Sequence, residues 1–306
     1  MPSTRPTRSR VRPFAAVLAL LLTASACGSH ASKEITKDAE YVALGDSYTS
    51  GPGMEPVADV SCRRSEENYP SLVAKELKIK SFADRSCGGA RLANLTQPQS
   101  FPNQQTHLQV KINDPQLNAI GPSTKLVTIG MGLNDQAIAT TLLLICNTPS
   151  NAEPSDFCQQ YLARPQSAVD DQVRTIAKDL ATALATIRKK APDAKIVLVG
   201  YPRVAPDSGS CGSPGQADAR FPVPEAQLVR LRETLNLVNK LWSQTAQQAG
   251  ALYVDMYDAS EGHDICSDDP WINGYLPDPG KAIGLHPLPA YMKVVADTIA
   301  GLVGNV

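Results

Sequence analysis

The sequence predicts an α/β fold in which a parallel sheet of about five strands carries helices on both faces. Short apolar runs that stop at a glycine or a polar residue recur along the chain, as at residues 41–45 and 126–129. Between such runs, apolar residues repeat at spacings of three and four, as at residues 169–187 and 228–241. Buried strands that alternate with amphipathic helices are typical of parallel sheets covered on both sides.

The predicted elements keep this alternation from residue 41 to the end of the chain. Strands are expected at residues 41–45, 79–83, 126–129, 196–199 and 252–255. Helices are expected to begin near residues 68, 138, 169, 228 and 291. The stretches rich in polar residues, Gly or Pro are interpreted as loops, namely residues 55–65, 97–116, 146–161, 204–224 and 256–284. We find no internal repeat and no dividing linker, so residues 39–306 are expected to form a single domain.

Composition narrows the classes of function. The chain has 306 residues, of which 42% are hydrophobic and 19% charged, and its formal net charge is -1. Four arginines and no acid lie within residues 1–26, so the remainder carries a net charge of -5. A mildly acidic body lacks the basic surface that nucleic-acid binding needs. We expect a monomer that does not bind nucleic acid.

Residues 1–26 are interpreted as an export signal. A basic segment with four arginines precedes an apolar run at residues 14–22, and small residues then lead to Cys27. The position of Cys27 resembles a bacterial lipobox, in which this cysteine is acylated, although Ala24 stands where leucine is usual. Simple cleavage after Ala26 is the alternative. Residues 27–38 are then a lipidated tether, and the protein is expected outside the cytoplasm, as a cell-membrane lipoprotein or a secreted protein.

The number of cysteines, seven, is consistent with a protein outside the cytoplasm. If Cys27 carries lipid, six remain in an oxidising compartment, where they can form disulfides. Six cysteines allow 15 connectivities, and the sequence does not choose among them, although sequential pairing closes the most local loops. None of the six belongs to a C-x-x-C pair, and we expect neither a metal nor a cofactor.

Several chemically useful residues directly follow predicted strands. Ser47 follows the first strand, Gly88 and Gly89 follow the second, and Asn134 follows the third. Ligands bind at the carboxyl ends of strands in open α/β sheets, so these positions are candidates for one site. Each pattern by itself is also compatible with an ordinary turn.

A serine nucleophile needs a base that accepts its proton, and two of the four histidines qualify. His286 follows the last predicted strand and precedes the terminal helix, which matches the serine-first, histidine-last order of α/β hydrolases. His263 is the alternative by the same reasoning. His30 and His107 lie in polar stretches and are not candidates.

Taken together, these blocks resemble the SGNH, or GDSL, hydrolase family. Gly45-Asp46-Ser47 matches the nucleophile block of this family, and Gly89 matches the glycine of its second block. Gly132-Leu133-Asn134-Asp135 matches the G-x-N-D block, and His286 matches the last block. The cysteine pattern and Gly262-His263-Asp264 further resemble secreted actinobacterial esterases and lipases of this family. The resemblance covers the chain from Tyr41 to the terminal helix.

The resemblance implies a three-layer α/β/α fold with a doubly wound, flavodoxin-like sheet. It implies that Ser47 attacks an ester carbonyl with His286 as base, and that the N–H groups of Ser47 and Gly89 and the side chain of Asn134 form the oxyanion hole. It also implies three disulfides, Cys62–Cys87, Cys146–Cys158 and Cys211–Cys266.

One position departs from the family pattern. The family usually has an aspartate three residues before the histidine, and Ile283 stands there. Some actinobacterial members use a main-chain carbonyl instead, so the resemblance implies that the Ile283 carbonyl orients His286. Asp278 and Asp264 are less favoured alternatives, and a Ser-His dyad is expected rather than a full triad.

The function expected from these residues is hydrolysis of carboxylic esters by an exported, membrane-anchored esterase or lipase. A carbohydrate deacetylase or a phospholipase of the same fold is an alternative, since the sequence does not specify the acyl chain or the alcohol. A non-catalytic lipoprotein that binds the cell envelope is the alternative from another class of protein.

Overall fold

A computed structural model describes residues 39–102, 109–145, 156–209, 211–212, 220–223, 225–275 and 280–304. The strands, in chain order, are β1 (Tyr41–Gly45), β2 (Val57–Asp59), β3 (Arg64–Ser65), β4 (Phe82–Asp84), β5 (Gln99–Pro102), β6 (Gln109–Asn113), β7 (Leu126–Gly130), β8 (Lys195–Val199) and β9 (Leu252–Val254). The α-helices are α1 (Ser47–Ser50), α2 (Tyr69–Glu76), α3 (Asp156–Leu162), α4 (Gln166–Lys190), α5 (Glu225–Gln248), α6 (Met256–Ala259) and α7 (Pro289–Val303).

Five strands form the central sheet, and all of its pairings are parallel. Their spatial order is β4-β1-β7-β8-β9. Counted among these five strands alone, the order is 2-1-3-4-5, which is the flavodoxin-like order. The predicted α/β fold with this strand order is therefore confirmed.

The residues of β1 show why the sheet is covered on both faces. Tyr41 and Ala43 belong to the core on the side of α2 and α7, whereas Val42 and Leu44 belong to the core on the side of α4 and α5. Successive side chains of a strand point to opposite faces, so a run that is apolar throughout needs cover on both sides. The helices supply it, and three layers result.

The structure differs from the predicted elements mainly in the loops. The stretches at 55–65 and 97–116, predicted to be irregular, contain the two-stranded pairs β2–β3 and β5–β6. Residues 138–145, predicted to be helical, follow the 3₁₀ turn Asp135–Ala137 and include the π-helical segment Thr140–Ile145. Gln136 and Ala137 have φ values of +49° and +59°, so left-handed backbone directly precedes the segment that was predicted to be helical.

Two of the three expected disulfides are present, Cys62–Cys87 and Cys211–Cys266. Residue Cys146 and the side chain of Cys158 lie outside the described residues, so the third pairing stays a prediction.

The predicted export signal, Cys27 and the tether all lie within residues 1–38, outside the described residues. In the part of the chain that the structure describes, no helix has both the length and the apolar character needed to cross a membrane.

Candidate active site

Ser47 lies at the carboxyl end of β1, where the chain turns sharply into α1. The Asp46 carboxylate caps this short helix by accepting a hydrogen bond from the Tyr48 N–H at 2.9 Å. Glycine is required at position 45, because a Cβ there would lie 2.1 Å from Oγ1 of Thr49. The tight turn leaves Ser47 only half-buried at the edge of the sheet.

A glutamine side chain holds the end of β1 in place. Gly45 donates its N–H to Oε1 of Gln116 at 2.9 Å, and Nε2 of Gln116 donates to the Gly45 carbonyl at 3.0 Å. Gln116 thus pairs with both backbone groups of Gly45, beyond the point where β4 has stopped pairing with β1. Nothing in the polar stretch around Gln116 distinguishes it from its neighbours, so this role is not visible in the sequence.

A buried tyrosine links the Ser47 turn to the loop that carries Asn134. The Tyr201 hydroxyl donates to Oδ2 of Asp46 at 2.6 Å and accepts from the Leu133 N–H at 3.2 Å. Burial raises the pKa of Asp46 to about 7, against the lowering effect of the bonds donated by Tyr201 and Tyr48. Tyr201 follows β8 and Gly200, so the strand-end signal that identified Ser47 and Asn134 would also have found it.

The second block is a loop pinned to both β1 and a disulfide. Cys87 donates its N–H to the Gly45 carbonyl at 3.1 Å, and Gly88 donates to the Cys62 carbonyl at 2.9 Å. Gly89 has a φ of +75°, a conformation that glycine adopts without strain. These bonds and the Cys62–Cys87 bridge place Gly89 beside the end of the strand that carries Ser47.

Asn134 is tied to this second block. Its Nδ2 atom donates to the Ala90 carbonyl at 3.0 Å. Asp135 accepts from the Leu92 N–H at 3.0 Å, and burial raises the pKa of this carboxylate to about 6. An amide nitrogen carries two hydrogens, so Asn134 keeps a second N–H for a ligand.

The loop of His286 is held by backbone hydrogen bonds to the preceding loop. Asn273 donates to the His286 carbonyl at 2.9 Å, and Leu285 donates to the Asn273 carbonyl at 3.1 Å. The Tyr48 hydroxyl, next to Ser47, donates to the Leu285 carbonyl at 2.8 Å. The histidine loop and the serine turn are thereby connected directly.

The prediction that the Ile283 carbonyl orients His286 is wrong. Nδ1 of His286 lies 2.7 Å from the carbonyl oxygen of Gly284, two residues before the histidine instead of three. Leu285 has a φ of +61°, and this left-handed residue turns the chain so that the Gly284 carbonyl faces the ring. Ile283 lines the cavity, and its N–H donates to the Pro52 carbonyl at 2.9 Å.

The imidazole of His286 is neutral at neutral pH. Burial lowers its pKa to about 4, the nearby charge of Arg63 lowers it further, and the hydrogen bond with Gly284 opposes both effects. Because Nδ1 faces a carbonyl oxygen, the proton resides on Nδ1 and Nε2 is the free acceptor. A ring in this state can accept a proton from a hydroxyl.

A cavity of about 470 Å³ at the carboxyl edge of the sheet brings the predicted residues together. Its lining includes Ser47, Gly89, Asn134 and His286. The aliphatic and phenyl side chains of the lining are those of Pro52, Phe101, Leu133, Ala139, Ile283 and Leu285. The cavity therefore combines a hydroxyl, a neutral imidazole and hydrogen-bond donors with walls that suit an acyl chain.

His263, the alternative base, and Asp264, one alternative acid, do not line this cavity. His263 stacks on Trp271 with ring centroids 4.0 Å apart, and its Nδ1 atom lies 2.8 Å from the Asp269 carbonyl oxygen. The Asp264 carboxylate accepts from the Cys266 N–H at 2.8 Å, as a turn residue does. Neither residue lines the cavity, and Asp278 lies outside the described residues.

A family model and a sequence relative each match most of this chain. A family model described as the GDSL-like lipase/acylhydrolase family matches residues 43–294. "Lipase 2" of Streptomyces coelicolor is 31% identical over 274 residues, which cover 87% of this chain and 86% of that protein.

Two crystal structures are also similar. An extracellular lipase from Streptomyces rimosus is 27% identical, with a TM-score of 0.64 and coverage of 85% of this chain and 99% of that one. Phospholipase A1 from Streptomyces albidoflavus NA297 is 25% identical, with a TM-score of 0.63 and coverage of 86% and 99%.

Proposed function

This chain belongs to the GDSL-like lipase/acylhydrolase family and is a carboxylic ester hydrolase, and we propose that it cleaves its ester through Ser47 and His286. The observation that carries the proposal is the single cavity lined by Ser47, Gly89, Asn134 and His286. A nucleophile, a base and hydrogen-bond donors at one edge of a rigid sheet are what acyl transfer requires.

In the proposed first step, Nε2 of His286 accepts the Ser47 proton while Oγ attacks the ester carbonyl. The carbonyl oxygen becomes an oxyanion, and His286 then returns the proton to the leaving alcohol. The resulting acyl-serine is hydrolysed by a water molecule that His286 activates in the same way. The acid is released and Ser47 regains its hydroxyl.

The oxyanion is stabilised by the N–H groups of Ser47 and Gly89 and by the free Nδ2–H of Asn134. Neither backbone N–H has a hydrogen-bond acceptor among the described residues. Gln116, Tyr201 and the Cys62–Cys87 bridge hold these donors in position before substrate binds. Loss of one such donor typically lowers kcat by a factor of about 10²–10³.

His286 works in a dyad with a carbonyl in place of a carboxylate. The Gly284 carbonyl selects the Nδ1–H tautomer, which leaves Nε2 free to accept a proton. A neutral carbonyl stabilises the imidazolium less than an anion would. This weaker stabilisation of the imidazolium is consistent with the low pKa of His286.

The acid limb of the pH profile of kcat/KM should report the titration of His286. The neutral imidazole is the active base, and burial lowers its pKa from 6.5 to about 4. We expect kcat/KM to rise with pH through about 4 and to be close to its plateau by about pH 5. A profile whose only step lies between about 6.5 and 7 would contradict a buried base, because an ordinary imidazole or the carboxyl group of Asp46 would then control the rate.

The proposed function is tested by labelling with a serine-directed fluorophosphonate and by hydrolysis of p-nitrophenyl esters of increasing acyl length. We expect labelling at Ser47 and turnover of these esters. Folded protein that is neither labelled nor active would support the alternative of a non-catalytic envelope-binding protein. A preference for acetylated sugars would instead support a carbohydrate deacetylase.

We also propose that the enzyme is exported and anchored to the outer face of the membrane through acylated Cys27. The support is the basic and apolar segments that precede this cysteine and the odd number of cysteines. Cys27→Ala should move the mature enzyme from the membrane to the soluble exported fraction. Mass spectrometry of the wild-type N-terminus provides the control, and a soluble wild-type protein that begins at another residue would exclude the anchor.

A further inference from the structure

Two adjacent arginines have different environments beside the cavity. Arg64 is buried, donates to the Ser86 carbonyl at 2.6 Å and forms an ion pair with Asp59 at 2.9 Å. Arg63 is exposed and lines the cavity. No hydrogen bond or ion pair joins the Arg63 guanidinium to another of the described residues.

The backbone holds Arg63 beside the proposed oxyanion donors. Its φ is +51°, in the left-handed region that is unfavourable for a residue with a side chain. The preceding Cys62 is fixed by its disulfide to Cys87. A Cβ added at Gly88 would lie 4.0 Å from Cβ and Cδ of Arg63, so the arginine stem runs along Gly88, next to Gly89.

Within the part of the lining that the structure describes, no acidic group pairs with the positive charge of Arg63. Among the described residues, one carboxyl group lines the cavity, that of Asp46, which is 1% exposed and already accepts from Tyr48 and Tyr201. The charge of Arg63 is also felt at the reaction centre, where it lowers the pKa of His286. A guanidinium in this position is available to a ligand.

Exposed apolar side chains lie near the same cation. Phe101 lines the cavity and is 48% exposed, and its cross-strand partner Val110 is 47% exposed. Val60 is 78% exposed and accepts a backbone hydrogen bond from Arg63 through its carbonyl. The cavity mouth therefore offers both a charge and an apolar surface, a pairing that suits an amphiphile.

We propose that Arg63 binds an anionic group on the ester substrate, so that the preferred substrate is an amphiphilic ester carrying a carboxylate or a phosphate. The guanidinium matches either group with two parallel hydrogen bonds. The anion is either a carboxylate at the far end of the acyl chain or a phosphate on the alcohol. This inference rests on the proposed function, because it concerns the same cavity.

Two pairs of soluble esters separate the two sources of the anion. The acyl arm compares p-nitrophenyl hydrogen glutarate with its neutral methyl ester, and the alcohol arm compares dihexanoylglycerol phosphate with dihexanoylglycerol. In Arg63→Gln, kcat/KM should fall about tenfold for the anionic member of one pair, mainly through KM, and should stay within about twofold for its neutral partner. Arg63→Lys should recover most of the loss.

Arg174→Gln is the matched control, since Arg174 is an exposed arginine on α4 that does not line the cavity. It should leave both pairs unchanged, and raising the ionic strength should reduce the wild-type preference for the anion. An equal loss on anionic and neutral esters, or no loss on either, would overturn the inference. Wild-type protein that hydrolyses none of the four esters and resists fluorophosphonate labelling would instead refute the proposed function.

Discussion

Ser47→Ala is expected to lower kcat for ester hydrolysis by about 10⁴-fold or more, down to the residual rate that binding and the oxyanion donors provide. The substitution removes only the hydroxyl group of Ser47, and without this group no acyl-enzyme can form. The fold should be retained, because the Asp46 carboxylate caps α1 and the Ser47 side chain does not. The measurements are kcat on a p-nitrophenyl ester, covalent labelling by the fluorophosphonate and the melting temperature.

Ser50→Ala is the matched control for this substitution. Ser50 lies in the same short helix, is fully buried and does not line the cavity. Its hydroxyl has no hydrogen-bond partner among the described residues, so its removal should change neither activity nor melting temperature appreciably. Retained activity in folded Ser47→Ala would show that another residue is the nucleophile.

His286→Ala is expected to have an effect of similar size, because Ser47 would then lack a base. Residues that act in one step are not additive, so the double variant Ser47→Ala/His286→Ala should be about as slow as either single variant. Loss of the hydrogen bond between Nδ1 of His286 and the Gly284 carbonyl should cost about 1 kcal/mol of stability, which leaves the protein folded. The acid limb near pH 4 should disappear from the residual activity.

His263→Ala is the histidine control. This ring stacks on Trp271 outside the cavity, and its loss should leave kcat within about twofold. If His263→Ala were the slow variant and His286→Ala the active one, the proposed base would be wrong. If both were active, the Ser-His mechanism itself would fail.

Local sequence patterns predicted the α/β fold and the strand ends at which the candidate site residues lie. Apolar runs that end at a glycine and helical repeats with apolar positions three and four apart are local patterns, so they could be read without the structure. Parallel strands present their carboxyl ends at one edge of the sheet. Polar residues that follow different strands, such as Ser47 and Asn134, were therefore predicted to converge.

The tertiary structure alone decided which distant groups pair. Gln116 is 71 residues from Gly45 in sequence, and Tyr201 is 155 residues from Asp46, yet each forms a direct hydrogen bond there. No periodicity encodes such contacts, because they depend on how separate elements pack against one another. The β5–β6 pair within residues 97–116 was missed because polar residues give little alternation to read.

Local backbone conformation decided the remaining details. The Gly284 carbonyl orients His286 because Leu285 is left-handed, a conformation that a leucine gives no reason to expect from sequence. Arg63 and Arg64 are chemically identical neighbours, and only the packed structure shows that one is buried against Asp59 and the other lines the cavity. Sequence specifies which side chains are present, whereas the direction in which each one points depends on the φ and ψ angles that tertiary packing imposes.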